Sequence, residues 1–594
     1  MPKLRFSRLA IALALGAALA RPAHAQAGST TDIIVGRVTA TGAAPVARAR
    51  VTAVSVQTGL HHQTITGADG RFTIVFPDGG GEYRLTVLRI GYTPAQVALR
   101  RRAGTDRIVV DVALKSAPIT LSTIVVRPGQ DSSSRYGLSG TGRTLQPAQV
   151  NRLPVNPGDL ASMAGLAPGV LVTAGTDSTS TTFSVAGQPP SQNTITVDGL
   201  AQGTAQIPRD AIRTTRVITN TYDVARGQFL GGQIASTTRR GTDRLTGSFT
   251  VTARDPSLAA TSGVSPAFNG AQTSRQISGG LGGPIVRNRL YGFGAFQVDL
   301  RSQPVASLLS ADPTTLGRLG VGPDSLARFL GAVAGDGLPL SPSGFPGTRH
   351  MNGGSALVRF DLQLNDANDL VLRGDWHDRQ QTGARVEWHG LPQSEGEGSG
   401  RGGGAMIALT SEMGNFVNDA RLYRAADYFD QSGYWTLPRG LVNTTSVLPT
   451  GQVGVTSLMF GGNSSLPRWD HSSMFEASDE LSWISPDASH RVKLGILVDE
   501  QSASANASSN KYGMFSYASI GDLAADHPSA FTRTLATRPQ ATAGSNGAVY
   551  LGDAWRPTDA LAITYGVRAE WAAYGRAPAY TPAGDSAFGR RTDR

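Results

Sequence analysis

The chain reads as mainly β. From the N-terminus the pattern implies a β-sandwich, then a smaller α/β unit, then part of a transmembrane antiparallel β-barrel. Three observations carry this reading. The chain holds 72 glycines among 594 residues and few helix-like runs, a bias of turn-rich sheet proteins. Its C-terminal half repeats segments of about ten residues that alternate apolar and polar and end in Trp or Tyr. The first 25 residues form an export signal, and no later run reaches ~18 consecutive apolar residues, so any membrane crossing falls to strands.

Lys3, Arg5 and Arg8 precede an apolar run from Leu9 to Ala20, and Ala23-His24-Ala25 is an A-x-A cleavage pattern. That arrangement is a secretory signal peptide over residues 1–25, too short to span a bilayer. Cleavage also removes Arg21 and lowers the formal net charge from +10 to +6. Cysteine is absent, so stability rests on sheet and core rather than on disulfides. Lysine occurs only at 3, 115, 493 and 511, and the arginines are scattered. With no dense basic helix and no RNA-binding aromatic motif, the charge does not point to nucleic acid.

Residues 28–115 show short strand patterns separated by turns. Ile33, Val35 and Val38 open the first strand; Val46–Val56, Thr64–Thr66, Tyr83–Ile90 and Ile108–Leu114 follow. Asp69-Gly70 is a hairpin turn in which glycine supplies φ > 0. Such spacing suggests a sandwich. Phe72, Phe76, Tyr83 and Tyr92 suit a core as well as a sugar-binding platform. His61-His62 reads as an exposed pair rather than as metal ligands. None of the nine histidines has Glu three residues later, and H-E-x-x-H, G-x-S-x-G and the Walker pattern are missing. No catalytic, metal or cofactor site is expected, and the chain is not read as an enzyme.

Residues 116–146 read as a linker. Within it Ile119 to Val126 is a short β-prone run, followed by Arg127-Pro128-Gly129 and a polar stretch. Residues 147–244 form the α/β unit. A helix starts at Asp159 and stops at Pro168-Gly169. Strands are expected at Val170–Val172, Phe183–Val185, Asn193–Val197 and Arg216–Ile218. Asp198-Gly199 is a hairpin-type turn, and Pro208 to Ile212 turns into a short helix. Gly227, Gly231 and Gly232 permit tight turns and close backbone packing.

Residues 245–594 carry the barrel pattern. Leu370, Leu372 and Trp376 share one strand face, with Arg373 and Asp375 on the other. Val492, Leu494, Ile496 and Val498 oppose Arg491, Lys493 and Asp499. Leu561, Ile563, Tyr565, Val567, Ala569 and Trp571 oppose Thr564, Arg568 and Glu570. Short turns at 365–368, 486–489 and 557–559 alternate with long Gly/Ser/Pro-rich stretches at 302–350, 388–404 and 501–545, read as loops. Short turns on one rim and long loops on the other is the outer-membrane arrangement.

Between Phe183 and Phe249 an ordered set of elements appears: F-x-V-x-G-Q containing Gly187-Gln188, I-T-V-D-G ending in Asp198-Gly199, I-P-x-D-A-I-R containing Ile212, Y-D-x-x-x-G-Q containing Gly227, G-G-Q-I opening on Gly231-Gly232, and T-x-R-x-G-T before a strand. This stretch resembles the plug domain of TonB-dependent outer-membrane receptors. G-R-V, A-R-V, T-x-A-D-G-R-F and Y-x-L-x-V-x-x-x-G-Y in 36–92 resemble the carboxypeptidase-regulatory-like domain that often precedes such plugs. Residues 279–297 and 549–570 resemble barrel hairpins of the large, Oar-like members.

The resemblance implies a plug over 147–244, a barrel from 245, and location in outer-membrane lipid with the sandwich in the periplasm. It implies active, ligand-gated uptake of a scarce nutrient, such as a siderophore, oligosaccharide or peptide. It also implies a TonB-like periplasmic energy-transducing partner that grasps Thr123, Ile124, Val125 and Val126 by strand addition; the same run serves equally as a last sandwich strand or a connector. A second reading is an outer-membrane carbohydrate-binding or adhesion protein without transport. Relatives close 22 strands, whereas 350 residues follow position 244 here, enough for roughly a dozen at ~10 residues each plus connections. The chain also ends in Arg590-Arg591-Thr592-Asp593-Arg594 rather than in an aromatic residue. The expectation is therefore a C-terminally truncated piece of a longer receptor.

Overall fold

The computed structural model describes residues 31–40, 43–56, 59–77, 79, 81–101, 107–115, 142–145, 160–167, 169–174, 181–185, 187–201, 207–218, 224–225, 227, 232–258, 272–305, 307–341, 347–384, 389–487, 489–506, 509–536, 539–558, 561–575 and 580–591. The signal peptide, the run Thr123 to Val126 and Gly231 lie outside the described residues.

Eight strands build the N-terminal unit: β1 (Asp32–Ala40), β2 (Arg50–Ser55), β3 (His61–Ile65), β4 (Arg71–Phe76), β5 (Glu82–Leu88), β6 (Ala95–Arg100), β7 (Arg107–Val109) and β8 (Val112–Leu114). They form two four-stranded sheets. One joins β4, β1, β7 and β8; the other runs β3-β2-β5-β6. Alternation decides which side chains meet between them: Tyr83, Leu85 and Val87 of β5 are buried while Arg84 is exposed. The core collects Ile34, Val38, Val51, Ala53, Phe72, Ile74 and Phe76 from the other strands. Phe72, Phe76 and Tyr83 are thus core residues, with Tyr92 packed partly buried against them, and none of the first three is free to stack on a sugar.

His62 departs from the exposed pair expected. It lies in β3 rather than in a turn, and strand alternation turns it inward while His61 stays out. Its ring meets Phe76 edge-on at 4.7 Å between centroids. Burial first, then the positive charge of Arg240 and neighbouring His61, pull its pKa down from 6.5 to about 3.

The central unit has β9 (Gly142–Leu145), α1 (Leu160–Ala164), β10 (Val170–Ala174), β11 (Thr181–Val185), β12 (Thr194–Val197), β13 (Leu200–Ala201), β14 (Ile212–Ile218) and β15 (Gln233–Thr238). Its mixed sheet runs β13-β12-β15-β14-β9, with β12 and β15 parallel. β9 corrects the linker boundary: Gly142 to Leu145 pair antiparallel with Ile218 to Thr215, because the backbone edge of β14 has hydrogen bonds to offer there. α1 and the hairpin β10–β11 pack Leu160, Met163, Ala164, Phe183 and Val185 on one core with Val197, Ile212, Val217 and Ile234 of the sheet.

Fifteen further strands follow: β16 (Thr246–Arg254), β17 (Thr273–Val286), β18 (Leu290–Pro304), β19 (Thr348–Asn365), β20 (Asn368–Ala384), β21 (Gly396–Met413), β22 (Phe416–Gly433), β23 (Arg439–Val447), β24 (Val453–Gly461), β25 (Arg468–Ile484), β26 (Arg491–Asn506), β27 (Met514–Tyr517), β28 (Ala530–Thr532), β29 (Gln540–Thr558) and β30 (Leu561–Tyr574). Eleven of them make one antiparallel sheet in the order β16-β17-β18-β19-β20-β21-β22-β25-β26-β29-β30. Each long strand meets the next in near-continuous register, as in β21–β22, where Gly396 to Met413 pair with Gly433 to Phe416. Among the described residues β16 and β30 are its outer strands, each paired on one side. One face is apolar and exposed, including Leu372, Trp376, Leu494, Ile496, Tyr565, Val567 and Trp571; the opposite face buries Arg359, Arg373, Asp375, Glu476 and Arg491. That is the inversion expected of strands with lipid outside and a filled lumen inside.

Three stretches read as loops are structured. In 302–350, α2 (Pro313–Arg318) and α3 (Pro323–Gly335) form; Asp312 caps α2 by accepting from Thr315 N, and proline occupies the first turn of both. In 501–545, β26 and β29 extend inward from the ends, and β27, α4 (Ile520–Ala524) and β28 lie between. With β23 and β24 these elements make a cap, a sheet ordered β24-β23-β27-β28 over a core of Leu316, Phe329, Val333, Val442, Leu458, Phe460, Tyr517 and Leu523. In 388–404 the glycine run from Gly396 onward belongs to strand β21. Its alternate glycines make room for large neighbours: a Cβ on Gly404 would sit 2.5 Å from the Tyr423 hydroxyl, and one on Gly402 would sit 2.4 Å from Asp427 Oδ1.

The fold binds fewer protons at His62 than the unfolded chain does, since the folded pKa is the lower one. Its stability contribution is complete above pH 6.5 and is lost as pH falls from 6.5 toward about 3. His62→Phe is expected to flatten the acid-side decline of sandwich stability in that window, measured by urea unfolding at a series of pH values. An unchanged slope would remove His62 as the source.

Candidate functional site

The turn between β12 and β13 is two residues long: Thr196 pairs with Ala201 and Val197 with Leu200. Both turn residues have left-handed backbone, Asp198 at φ 51° and Gly199 at φ 83°, as a two-residue hairpin with right-handed twist requires. The sequence offers this turn as an ordinary hairpin. The structure drives its tip into the lumen wall.

Asp198 is buried, and its carboxylate is answered from several directions. Oδ1 accepts from Thr238 N at 2.8 Å and Oδ2 from Thr238 Oγ1 at 2.9 Å. Arg373 Nη1 of β20 donates to Oδ2 at 2.6 Å, and Arg359 Nη1 of β19 lies 3.6 Å from Oδ1. Each arginine is held in turn. Arg359 Nη2 reaches Asp361 at 2.7 Å and its Nη1 reaches Thr238 Oγ1 at 3.0 Å. Arg373 lies 3.5 Å from Asp375 and over the Tyr423 ring at 5.4 Å. From β22, Arg421 donates to the Asp198 carbonyl at 3.1 Å while Asp419 grips its other nitrogens. Burial alone would raise the Asp198 pKa; the charges of Arg373 and Arg359 and the bonds from Thr238 and Arg373 outweigh it and hold the carboxyl below its ordinary range.

Other lumen-side residues fasten the same unit elsewhere. Asp210 accepts from Ser248 Oγ and Ser278 Oγ, both at 2.6 Å. Ala201 N donates to Glu476 Oε2 at 2.8 Å and Arg209 N to Gln297 Oε1 at 2.9 Å. Arg568, paired with Glu570, donates to the carbonyls of Val224 at 3.2 Å and Ala225 at 3.1 Å.

Of the residues singled out from sequence, Asp198, Gly199 and Gly227 meet the barrel wall. A Cβ on Gly199 would fall 1.5 Å from Arg421 Nη1, and one on Gly227 would fall 2.0 Å from Glu570 Oε1. Gly187 and Gln188 instead close a turn inside the unit: Gly187 has φ 79°, and Gln188 N donates to Val185 O at 3.0 Å. Gly232 packs on Val185 and Ile218 and donates to Asn193 Oδ1 at 3.0 Å, and Ile212 is core. The barrel residues Arg359, Asp361, Asp419 and Arg421 were not anticipated as a site. Their signal is an R-x-D or D-x-R pair on the inward face of an alternating strand, at 359–361, 373–375 and 419–421. Among the described residues no group of three or more His, Asp or Glu is arranged to hold a metal ion.

Residues 341–578 match the outer membrane beta barrel domain family, and residues 33–115 match the carboxypeptidase regulatory-like domain family. Among solved structures, the chain is similar to the outer membrane transporter YddB from Escherichia coli, at 13% identity and TM-score 0.50, covering 73% of this chain and 56% of that one. The likeness is one of fold, an outer-membrane β-barrel with a folded unit in its lumen. The siderophore receptor PirA from Pseudomonas aeruginosa matches at 12% identity and TM-score 0.44, over 73% of this chain and 57% of that one. A mutant of the ferric enterobactin receptor PfeA from the same organism matches at 13% and 0.47, over 74% and 58%. The chain therefore spans little more than half the length of these structures, and no curated protein matches it. The central unit is the plug of this fold, and the short turns and the cap stand at opposite rims of the barrel wall. The barrel lies in the outer membrane.

Asp198→Ala leaves Arg373 and Arg359 buried without their shared anion, and breaking a buried pair in this way costs about 3–5 kcal/mol. Denaturant unfolding in detergent should show that loss; a change under about 1 kcal/mol would mean that the network does not hold the plug. Gly199→Ala should cost about 1–2 kcal/mol from left-handed backbone alone, with displacement of Arg421 visible in a structure of the variant.

Proposed function

We propose that the receptor takes up a scarce nutrient across the outer membrane by energy-coupled gating, with a TonB-like periplasmic protein as the energy-transducing partner. The observation that carries this reading is the plug's attachment. A folded unit fills the lumen and is fastened by a concentrated ion network at Asp198 with a few hydrogen bonds elsewhere. A permanent wall needs no such arrangement of buried charge. Pulling one partner away leaves the others as uncompensated buried charge, so the arrangement is strongly destabilised once it is opened.

In this mechanism the cap elements outside the cell bind the ligand, a siderophore, oligosaccharide or peptide. The partner adds a strand to Thr123, Ile124, Val125 and Val126 and pulls. Force transmitted to the plug sheet draws the β12–β13 turn off Arg359, Arg373 and Arg421 and opens a path along the polar wall. The work is binding and mechanical rearrangement, without covalent chemistry. The adhesion reading draws no support from the sandwich, because Phe72, Phe76 and Tyr83 are committed to its core.

Cells carrying the receptor should accumulate one of a panel of labelled siderophores, oligosaccharides or peptides. Deleting residues 119–128 should abolish that accumulation while leaving surface binding of the same compound intact. Unchanged accumulation after deletion would defeat the proposed coupling segment.

A further inference from the structure

β1 and β4 are apolar on both faces. Ile34, Val38, Phe72, Ile74 and Phe76 point into the sandwich. Ile33, Val35 and Val75 point away from it and are nevertheless at most 4% exposed. A strand buried on both faces requires a second layer, and here that layer is the barrel: the three side chains cluster with Val417 at the start of β22 and Ile484 at the end of β25. Around the cluster, Val75 N donates to Glu412 Oε1 at 2.9 Å and Arg107 donates to the His490 carbonyl at 3.4 Å. His62 Nδ1 lies 4.0 Å from Asp369 and His61 Nδ1 3.9 Å from Asp243. Tyr291, at the start of β18, joins the sandwich core cluster, and Arg213 of the plug donates to the Gly79 carbonyl.

The face on which these barrel residues lie decides what the docking means. Tyr291 has the parity of Phe293 and Ala295, which pack on the plug core. Asp369 has the parity of Arg373, and Val417 that of Arg421, both bonded to Asp198. Ile484 has the parity of Glu476, bonded to Ala201, and Glu412 that of Met406, which packs with Leu200. All five therefore face the lumen, and all stand next to the short turns. The sandwich is seated in the periplasmic mouth, underneath the plug.

We infer that the N-terminal sandwich is a detachable stopper of the periplasmic mouth, and that Glu412 sets how firmly it seats. Detachment costs the sandwich core one outside member, Tyr291 of β18; its other buried side chains come from residues 34–114. The apolar part of the seat is small, five side chains. Glu412 brings a carboxyl group beside it with a backbone N–H as its hydrogen-bond partner. A carboxylate ionised there would have one backbone donor to answer it and would weaken the contact. Glutamine there would keep the acceptor for Val75 and can carry no charge. Seating is a property of this chain whether or not it imports a ligand, while any route from plug to periplasm passes the stopper.

The chain has no cysteine, so single thiols report on the seat in the otherwise unchanged full chain in detergent micelles. Ile484→Cys is buried under the sandwich, and Asn365→Cys in an exposed periplasmic turn is the reference. Maleimide labelling should be about tenfold slower at 484 than at 365. Adding Val75→Asp, at a side chain that points out of the sandwich into the cluster with Val417 and Ile484, should bring the two rates together; adding Glu412→Gln should slow labelling at 484 further. Val51→Cys, in the sandwich core, should stay protected in the Val75→Asp background. Should that core thiol react, the sandwich has unfolded and Glu412→Gln alone decides. Fast labelling at 484 in the parent, continued protection after Val75→Asp with the sandwich intact, or labelling with Glu412→Gln as fast as the parent would each overturn the stopper. None of these readings depends on uptake.

Discussion

A carboxylate sealed from water persists as an anion only when its charge is answered by cations and hydrogen-bond donors. Asp198 meets that condition with one threonine from its own unit and arginines from two barrel strands, while Arg421 of a third holds its backbone carbonyl. The demands run outward from there. Arg359 needs Asp361, Arg373 needs Asp375, and Arg421 needs Asp419. Each of those acids must share its arginine's face, two residues along the same strand, which fixes the parity of β19, β20 and β22 relative to the plug. A one-residue slip in any of them would turn its ion pair toward lipid. The register of the wall and the position of the plug are therefore a single problem with a single solution.

The same parity rule operates lower in the lumen. Strands whose middle faces the plug present Tyr291, Asp369, Glu412, Val417 and Ile484 at their short-turn ends, where the sandwich meets them. The two attachments differ in character. The plug is held by buried charges that are costly to separate and by apolar contacts of Leu200, Val224 and its core with the wall. The sandwich is held by a small apolar patch and sparse polar contacts, which part more easily. The wall thus carries a firm attachment in its middle and a weaker one at its mouth.

Much of the architecture was legible because strands advertise their faces. The alternations at 370–376, 492–498 and 561–571 were read with the correct lipid and lumen sides, since period-two patterning survives whatever the neighbours are. Reading glycine and proline only as loop formers failed. Gly396 to Gly404 are a barrel strand because Tyr423, Asp427 and Arg379 need the space their side chains would take, a requirement visible only once the adjacent strands are in register. Pro313 and Pro323 start helices, and the Asp312 cap ahead of Pro313 was a local signal available to be read. His62 looked like a turn residue because its strand is short and polar.

The sequence by itself determined the order of units, the sandwich core, the hairpin at Asp198-Gly199 and the two faces of the wall. All of these follow from local chemistry: turn residues, periodicity and apolar runs act over a few positions. Only the tertiary structure decided that Asp198 is the centre of an ion network, that Gly199 and Gly227 exist for close approach to Arg421 and Glu570, and that the second apolar face of β1 and β4 is covered by the barrel. The physical reason is distance along the chain. Asp198 and Arg373 lie 175 positions apart and Val75 and Glu412 337 apart, and no local pattern in one member of such a pair specifies the other.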